Sequence, residues 1–343
     1  MAATTQETLA RRLRLVLGAE VAAYVALGAW LCVGRGWGLA AAIGVPVLIA
    51  VAWRLAFILV TYALAWRNRS PTPPEFRRSV FALLPHVLRE TAAWTAGYAA
   101  LQPFVRVFMG DGRAPCSRGA RLPVLLVHGY VSNRGLWWVF RRALEARGET
   151  VWAVTLEPVY GSIDSLVDPL AARIDELLAT TGAQQVVLVT HSMGGLVARA
   201  YLRDHGAAKV ARLVTLGAPH HGSVHAYLGA GANARAMEPG SPWLEALGRS
   251  EARGFLVPFT SIFSHHDNFV APQTSSVHPA ARNVPLAGIG HVSLAFSARV
   301  LALISAELDA ANAAGGGEPD KLRSARSWPM EPGSSSPSSV RSS

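Results

Sequence analysis

The feature that most narrows what this chain can fold into is a six-residue turn. Val186-Val187-Leu188-Val189 is a continuous apolar run of the kind a doubly buried strand carries, and Leu196-Val197-Ala198-Arg199-Ala200-Tyr201-Leu202 has helical spacing. Between them lies Thr190-His191-Ser192-Met193-Gly194-Gly195. So short a link, carrying two glycines, demands a sharp strand-to-helix reversal. Such a turn lifts the Ser192 hydroxyl out of the sheet edge and sets it at the positive end of the following helix, where an anionic intermediate is stabilised. The plainer alternative is that Ser192 merely caps the helix.

Strand and helix patterns alternate on both sides of this turn: Val124 to Val127, Leu136 to Arg147, Val151 to Thr155, Ser165 to Leu178, Val186 to Val189, Gly195 to Asp204 and Val210 to Leu216. The alternation predicts an α/β domain with a doubly wound, mostly parallel sheet. Together with the Ser turn it resembles the α/β-hydrolase fold, whose nucleophile elbow ordinarily reads Gly-x-Ser-x-Gly. Thr190 stands where the first glycine usually does, at a position that packs close to the following helix and favours a small side chain.

That resemblance assigns further residues. The apolar strand Pro123-Val124-Leu125-Leu126-Val127 ends in His128-Gly129-Tyr130. In this fold the residue after such a His-Gly offers its backbone N–H to the oxyanion together with the residue after the nucleophile. Tyr130 and Met193 are therefore expected to form the oxyanion hole. His128 is expected to hold its loop through ring hydrogen bonds, and His191 to point away from Ser192, because neighbours at a strand end face opposite sides.

The fold's chain order is Ser, then an acid, then His. Five acids lie between Ser192 and the last plausible His: Asp204, Glu238, Glu245, Glu251 and Asp267. Asp204 sits well along the elbow helix and the three glutamates fall in a Gly/Pro-punctuated insertion. Asp267 follows the strand-like run Val257 to Ser264, where a carboxylate at the carboxyl end of a strand belongs. His291 follows an expected edge strand, Asn283 to Ala287, and a flexible Gly288-Ile289-Gly290 turn, ahead of a helix from Val292 to Leu308. The expected triad is Ser192, Asp267 and His291, with His265, His266 and His278 as rivals for the base.

Beyond the elbow, the segments Gly217-Ala218-Pro219-His220-His221-Gly222-Ser223, Met237-Glu238-Pro239-Gly240-Ser241, His265-His266-Asp267 and Gly288-Ile289-Gly290-His291 resemble those of bacterial triacylglycerol lipases and esterases. The resemblance covers about residues 121 to 311. It implies hydrolysis of carboxylic esters of lipids through an acyl-enzyme, and it leaves open a phospholipase, thioesterase or acyltransferase of the same fold, or a hydrolase-fold protein without catalysis. No redox or nucleotide cofactor is implied. Related lipases often hold a structural calcium, but its ligands find no match here, so no metal is carried over. Residues 219–256 fall where those lipases place a cap over the acyl site, with Tyr227, Leu228, Met237, Trp243, Leu244 and Leu247 as apolar anchors.

The N-terminal third has a different character. Hydrophobic residues make up 51% of the 343 and charged ones only 16%, and the excess lies in two runs: Leu15 to Val33, apolar apart from Glu20, and Leu39 to Trp66, apolar apart from Arg54. About 20 residues cross a bilayer core, so both qualify as transmembrane helices. Residues 1–69 are expected to be a membrane anchor, 70–120 a linker and amphipathic helical region, 121–311 the catalytic domain and 312–343 a disordered tail. Arg11, Arg12 and Arg14 precede the first run, Arg35 lies between the runs, and Arg67, Arg69, Arg77 and Arg78 follow the second. This asymmetry places both ends, and the catalytic domain, on the cytoplasmic side of a bacterial inner membrane. A chain begun near Leu122 is expected to be more soluble. The net charge of +10 is scattered arginine rather than a basic stripe, which argues against nucleic acid and for membrane lipids as partners. Cys32 and Cys116, one in a span and one in the linker, are not expected to pair.

Overall fold

The computed structural model describes residues 7–113, 121–252, 254–255 and 257–315; Cys116 and most of the expected C-terminal tail lie outside them. In chain order come α1 (Thr8–Ala29, continued by a π-helical turn to Gly34), α2 (Leu39–Arg67), α3 (Val80–Ala96) and a short α4 (Val105–Met109). The alternating part follows: β1 (Val124–Val127), α5 (Trp138–Ala146), β2 (Val151–Val154), α6 (Val167–Thr181), β3 (Val186–His191), α7 (Met193–His205) and β4 (Val210–Leu216). Two short helices, α8 (Ala232–Ala236) and α9 (Pro242–Ser250), then precede β5 (Phe259–Ser264), β6 (Arg282–Leu286) and α10 (Ala298–Gly315).

The strands form one sheet in the order β2-β1-β3-β4-β5-β6, every neighbouring pair parallel. β1 and β3 are buried along their whole length, which is why they read as unbroken apolar runs rather than alternating ones. Leu125, Val127 and Leu188 pack under α6 and α7 on one face. Val124, Leu126, Val187 and Val189 pack with α5 and α10 on the other. The order reverses between β1 and β3, and a crevice forms at the carboxyl ends of strands at such a point. Gly129 and Ser192 both leave the sheet there.

The stretch from Val292 breaks in two where one helix was expected. Val292–Phe296 is a 3₁₀ segment, Ser297 turns extended, and α10 starts afresh at Ala298 and continues to Gly315. The Val292 and Ser293 amides that open the 3₁₀ segment, free of intrahelical partners as first-turn amides are, are taken by Glu90. Residues 312–315, expected in the tail, are thus helical, and the Asn312 side chain accepts from Leu122 N at 2.7 Å.

The region expected as linker and amphipathic helix packs into the core of the sheet domain. Ala93, Val105 and Met109 share a cluster with β1 and β3 side chains, and Ala10 of α1 joins them. Glu90 and Gln102 are fully buried. α1 docks through its first turn, with Thr8 N donating to the Glu157 carboxylate at 2.7 Å and Arg14 to Pro103 O at 2.6 Å. The remainder of α1 and the first half of α2 form a hairpin with exposed apolar faces, including Val16, Val25, Val47 and Leu48. Both helices are long and apolar enough to cross a membrane. Glu20 and Arg54, the two charges inside the expected spans, face each other at 2.7 Å, and Trp53 Nε1 and Tyr24 OH also donate to Glu20.

Candidate active site

Ser192 sits between β3 and α7 with φ at +55°, a conformation that costs about 1–3 kcal/mol and persists only where the surroundings impose it. Here they do. Ser192 N donates to Leu216 O at 2.8 Å and its carbonyl accepts from Gly195 N at 2.9 Å. A Cβ on Gly194 would meet His128 O at 2.6 Å, and one on Gly129 would meet the Ser192 Cβ at 2.7 Å. Both glycines are therefore conditions of the close approach between the β1 loop and the turn. Thr190 fits where a glycine was expected because the neighbouring helical residue, Gly195, carries no side chain toward it.

The loop after β1 brings Tyr130 beside Ser192 in a common cavity, and Met193 opens α7, where helix geometry leaves its N–H without an intrahelical partner. His128 is buried with both ring nitrogens engaged: Nε2 accepts from Leu156 N at 2.8 Å and Nδ1 donates to Gly129 O at 2.9 Å. Burial pushes its pKa down to about 4, so it holds the loop as a neutral ring, as the sequence implied. His191 lies beneath His291, ring centroids 4.5 Å apart. Burial and the neighbouring His291 drive it down to about 3, and its Nε2 donates to His291 O at 2.9 Å.

Asp267 and His291 come together from the ends of β5 and β6. His291 Nδ1 donates to Asp267 Oδ2 at 2.7 Å, while Oδ1 accepts the amides of Phe269 at 2.8 Å and Val270 at 2.7 Å. The pairing fixes the tautomer, leaving Nε2 for the cavity that Ser192 and His291 both line. Burial alone lowers an imidazolium; the charge and hydrogen bond of Asp267, with the charge of Glu90 behind them, outweigh it and carry His291 above its ordinary value. The rivals are engaged elsewhere. His265 stacks on Phe76, His266 Nδ1 accepts from Gly288 N at 3.1 Å, and His278 meets Glu251 at 3.2 Å. Glu251 itself grips Arg199, and Asp204 pairs with Arg203.

Several residues around this group were not singled out by the sequence. Glu90 of α3 accepts from the amides of Val292 and Ser293, each at 2.8 Å, directly after His291. Asn268 Oδ1 accepts from His291 N at 3.0 Å, and its Nδ2 donates to Thr61 Oγ1 of α2 at 2.8 Å. Tyr98 OH donates to Val131 O at 3.0 Å. Gln102 accepts two 3.0 Å bonds from Asn133, Oε1 from its backbone N–H and the carbonyl from its Nδ2. The available signal was a lone acid in an apolar helix, Glu90, and an Asn beside the chosen Asp.

Ser192 opens into a cavity of about 460 Å³. Beyond the head formed by Ser192, His291 and Tyr130, its walls are Phe57, Val60, Thr61 and Leu64 of α2, with Trp94 of α3 and Leu228 and Met237 of the 219–256 insertion. The insertion is only in part a flap. Met237, Leu244 and Leu247 are buried, and Trp243 is tethered to Asp164 at 2.9 Å, whereas Tyr227 and Leu228 are exposed.

Residues 123–234 match the family model described as alpha/beta hydrolase fold. The chain is 32% identical over 111 residues to a triacylglycerol lipase of Pseudarthrobacter phenanthrenivorans, a match covering 30% of this chain and 34% of that protein. A triacylglycerol lipase of Burkholderia plantarii matches equally, at 32% over 30% of this chain and 31% of its own length. The chain thus spans about a third of the length of these curated relatives. Among solved structures, mature Bacillus licheniformis lipase BlEst2 superposes with a TM-score of 0.51 at 18% identity, over 58% of this chain and 96% of that one. Aspergillus fumigatus lipase B gives 0.53 at 17%, over 71% and 63%. The sheet is an α/β-hydrolase sheet, and the chain resembles the bacterial lipases and esterases of that superfamily.

Proposed function

We propose that this chain is a membrane-anchored serine hydrolase that cleaves carboxylic esters of lipids through an acyl-enzyme. The observation that carries the proposal is the buried Asp267–His291 pair sharing one apolar cavity with Ser192, the half-buried serine of the strand-to-helix turn. Its lipid class is supported by the resemblance to triacylglycerol lipases and by the apolar walls around Ser192.

In this reading Ser192 Oγ attacks the ester carbonyl carbon while His291 Nε2 takes the hydroxyl proton, and the carbonyl electron pair moves onto oxygen. The amides of Tyr130 and Met193 receive that oxyanion, each worth roughly 3 kcal/mol of barrier. Asp267 stabilises the imidazolium without taking its proton. The tetrahedral species collapses, the C–O bond breaks, and His291 protonates the departing alcohol. Water, deprotonated by His291, then attacks the acyl-enzyme and releases the acid.

α1 with its π-helical turn, 27 residues, and α2, 29 residues, serve as the two spans. Their charged pair, Glu20 with Arg54, spares the bilayer an isolated charge, which costs about 2.5–3.5 kcal/mol at mid-membrane. The arginine asymmetry around the two spans supports a cytoplasmic position for the hydrolase in this reading. The test of the reading is Ser192→Ala in the full chain. Ester hydrolysis is expected to fall by several orders of magnitude and fluorophosphonate labelling to vanish, with the circular dichroism spectrum unchanged. Labelling that survives the substitution would refute it.

A further inference from the structure

α2 is both an apolar span and a wall of the cavity at Ser192. Its 29 residues measure about 43 Å at 1.5 Å each, close to a bilayer with its headgroups (about 40–45 Å) and longer than the hydrocarbon alone (about 30 Å). Its last turns, which carry Phe57, Val60, Thr61 and Leu64, therefore fall where the acyl chains of the near leaflet meet their headgroups. Trp66, exposed, with the Arg69 guanidinium 3.5 Å over its ring, marks that interface.

The cavity is open on this side. Val60 lines it and is 57% exposed; Leu228 lines it from across the gap and is 75% exposed. Leu59 and Tyr227, each adjacent to one of them, are exposed too, so apolar surface runs from the cavity to the outer face of α2. The two sides are tied where they meet: His225 Nε2 donates to Thr61 O at 3.3 Å, holding the segment Val224–Leu228 against α2. In water such a rim would be a large exposed apolar patch without purpose. Within a leaflet it is a continuous path for an acyl chain.

We propose that α2 forms part of the acyl site and that substrate enters laterally, between Val60 and Leu228, from the leaflet around α2. The substrate class is then a bilayer-resident acyl ester, whose chain passes from the leaflet into the cavity and presents its carbonyl to Ser192. The proposal rests on the hydrolase and membrane readings given above.

The test uses the full chain in vesicles of phosphatidylethanolamine and phosphatidylglycerol, with 1,2-dioleoylglycerol in the bilayer and p-nitrophenyl butyrate in the water. Val60→Asp, Val60→Trp and Leu228→Asp are expected to lower the ratio of dioleoylglycerol to butyrate hydrolysis at least tenfold, because each charges or blocks the gap. Val60 and Leu228 are exposed, and Val60→Trp adds no charge to the α2 span, so Val60→Trp and Leu228→Asp carry the result where Val60→Asp fails to insert. Ratios within twofold of the wild type in all three would overturn the lateral route while leaving the hydrolase reading standing. A wild type that cleaves neither ester would remove that reading, and this proposal with it.

Discussion

Glu90 offers the sharpest test of how the site is held. It lies on α3, fully buried, and its two oxygens take the amides of Val292 and Ser293 at 2.8 Å each. Glu90→Gln keeps one accepting oxygen and turns an NH₂ toward the other amide, so one buried donor loses its partner at about 1–3 kcal/mol. Glu90→Ala orphans both, for roughly twice that. His291 is the next residue in the chain, and a misplacement of about 1 Å at a reacting group costs on the order of 10²-fold in rate. Glu90→Gln is therefore expected to lower kcat on p-nitrophenyl butyrate by about 10- to 100-fold, with KM changed little, because Glu90 acts through the His291 loop. A second readout separates positioning from bulk stability. The Glu90 charge helps hold the His291 pKa up against burial, and kcat/KM rises with pH as the base loses its proton. Without that charge the pKa falls, so the acid limb moves to lower pH. A purely structural role would lower Tm and leave the limb in place. Glu90→Gln with wild-type kcat and an unmoved limb would refute the argument.

Asp267→Asn removes the partner that opposes burial at His291; kcat is expected to fall by on the order of 10⁴-fold, as in other serine triads, and any residual acid limb to shift to lower pH. His266→Ala is expected to have a far smaller effect, since that ring is committed to Gly288 N, and a dead His266→Ala with an active His291→Ala would show that the wrong base was chosen. A chain begun at Leu122 is expected to be inactive and to aggregate, contrary to what the sequence suggested, because it exposes the faces that cover Ala93, Val105 and Met109; a soluble, fully active truncation by sedimentation and ester assay would show that α1 to α4 are dispensable.

The strands were legible because a doubly buried strand writes itself as an apolar run bounded by turn residues. β1 and β4 begin and end at the residues expected. The turn was legible because its glycines mark close approach, and the pairing of Asp267 with His291 was within reach because the resemblance supplied a Ser, acid, His order and the strand ends narrowed the choice. What periodicity cannot show is which polar residue of an amphipathic helix faces inward. α3 has one carboxylate, and only the packed structure reveals that Glu90 points at the sheet and not at solvent. The same blindness hid the Glu20–Arg54 pair: each read as a flaw in its own span, because pairing across a hairpin is a property of two helices. In the insertion, sequence alone gives all the apolar residues the same part as anchors, whereas burial divides them between true anchors such as Leu247 and the exposed Tyr227 and Leu228.

The polar contacts between the N-terminal helices and the sheet have a consequence for how the chain divides. Thr61 reaches His291 through Asn268, Glu90 caps the turn after it, and Tyr98 and Gln102 pin the loop that carries Tyr130. Thr61, Glu90 and Gln102 are buried and Tyr98 is half-buried, and each has a partner across the boundary. An anchor joined by a linker would leave the two parts free to separate, whereas separation here would exchange several buried hydrogen bonds for water, at about 0.5–1.5 kcal/mol each, and expose the apolar faces around Ala93, Val105 and Met109. Both loops of the site therefore hang from the N-terminal helices, the His291 loop from α2 and α3 and the Tyr130 loop from the turn after α3. In the membrane-anchored reading proposed above, a tilt of α2 imposed by membrane thickness is transmitted to Thr61, and from there through Asn268 to the backbone of His291.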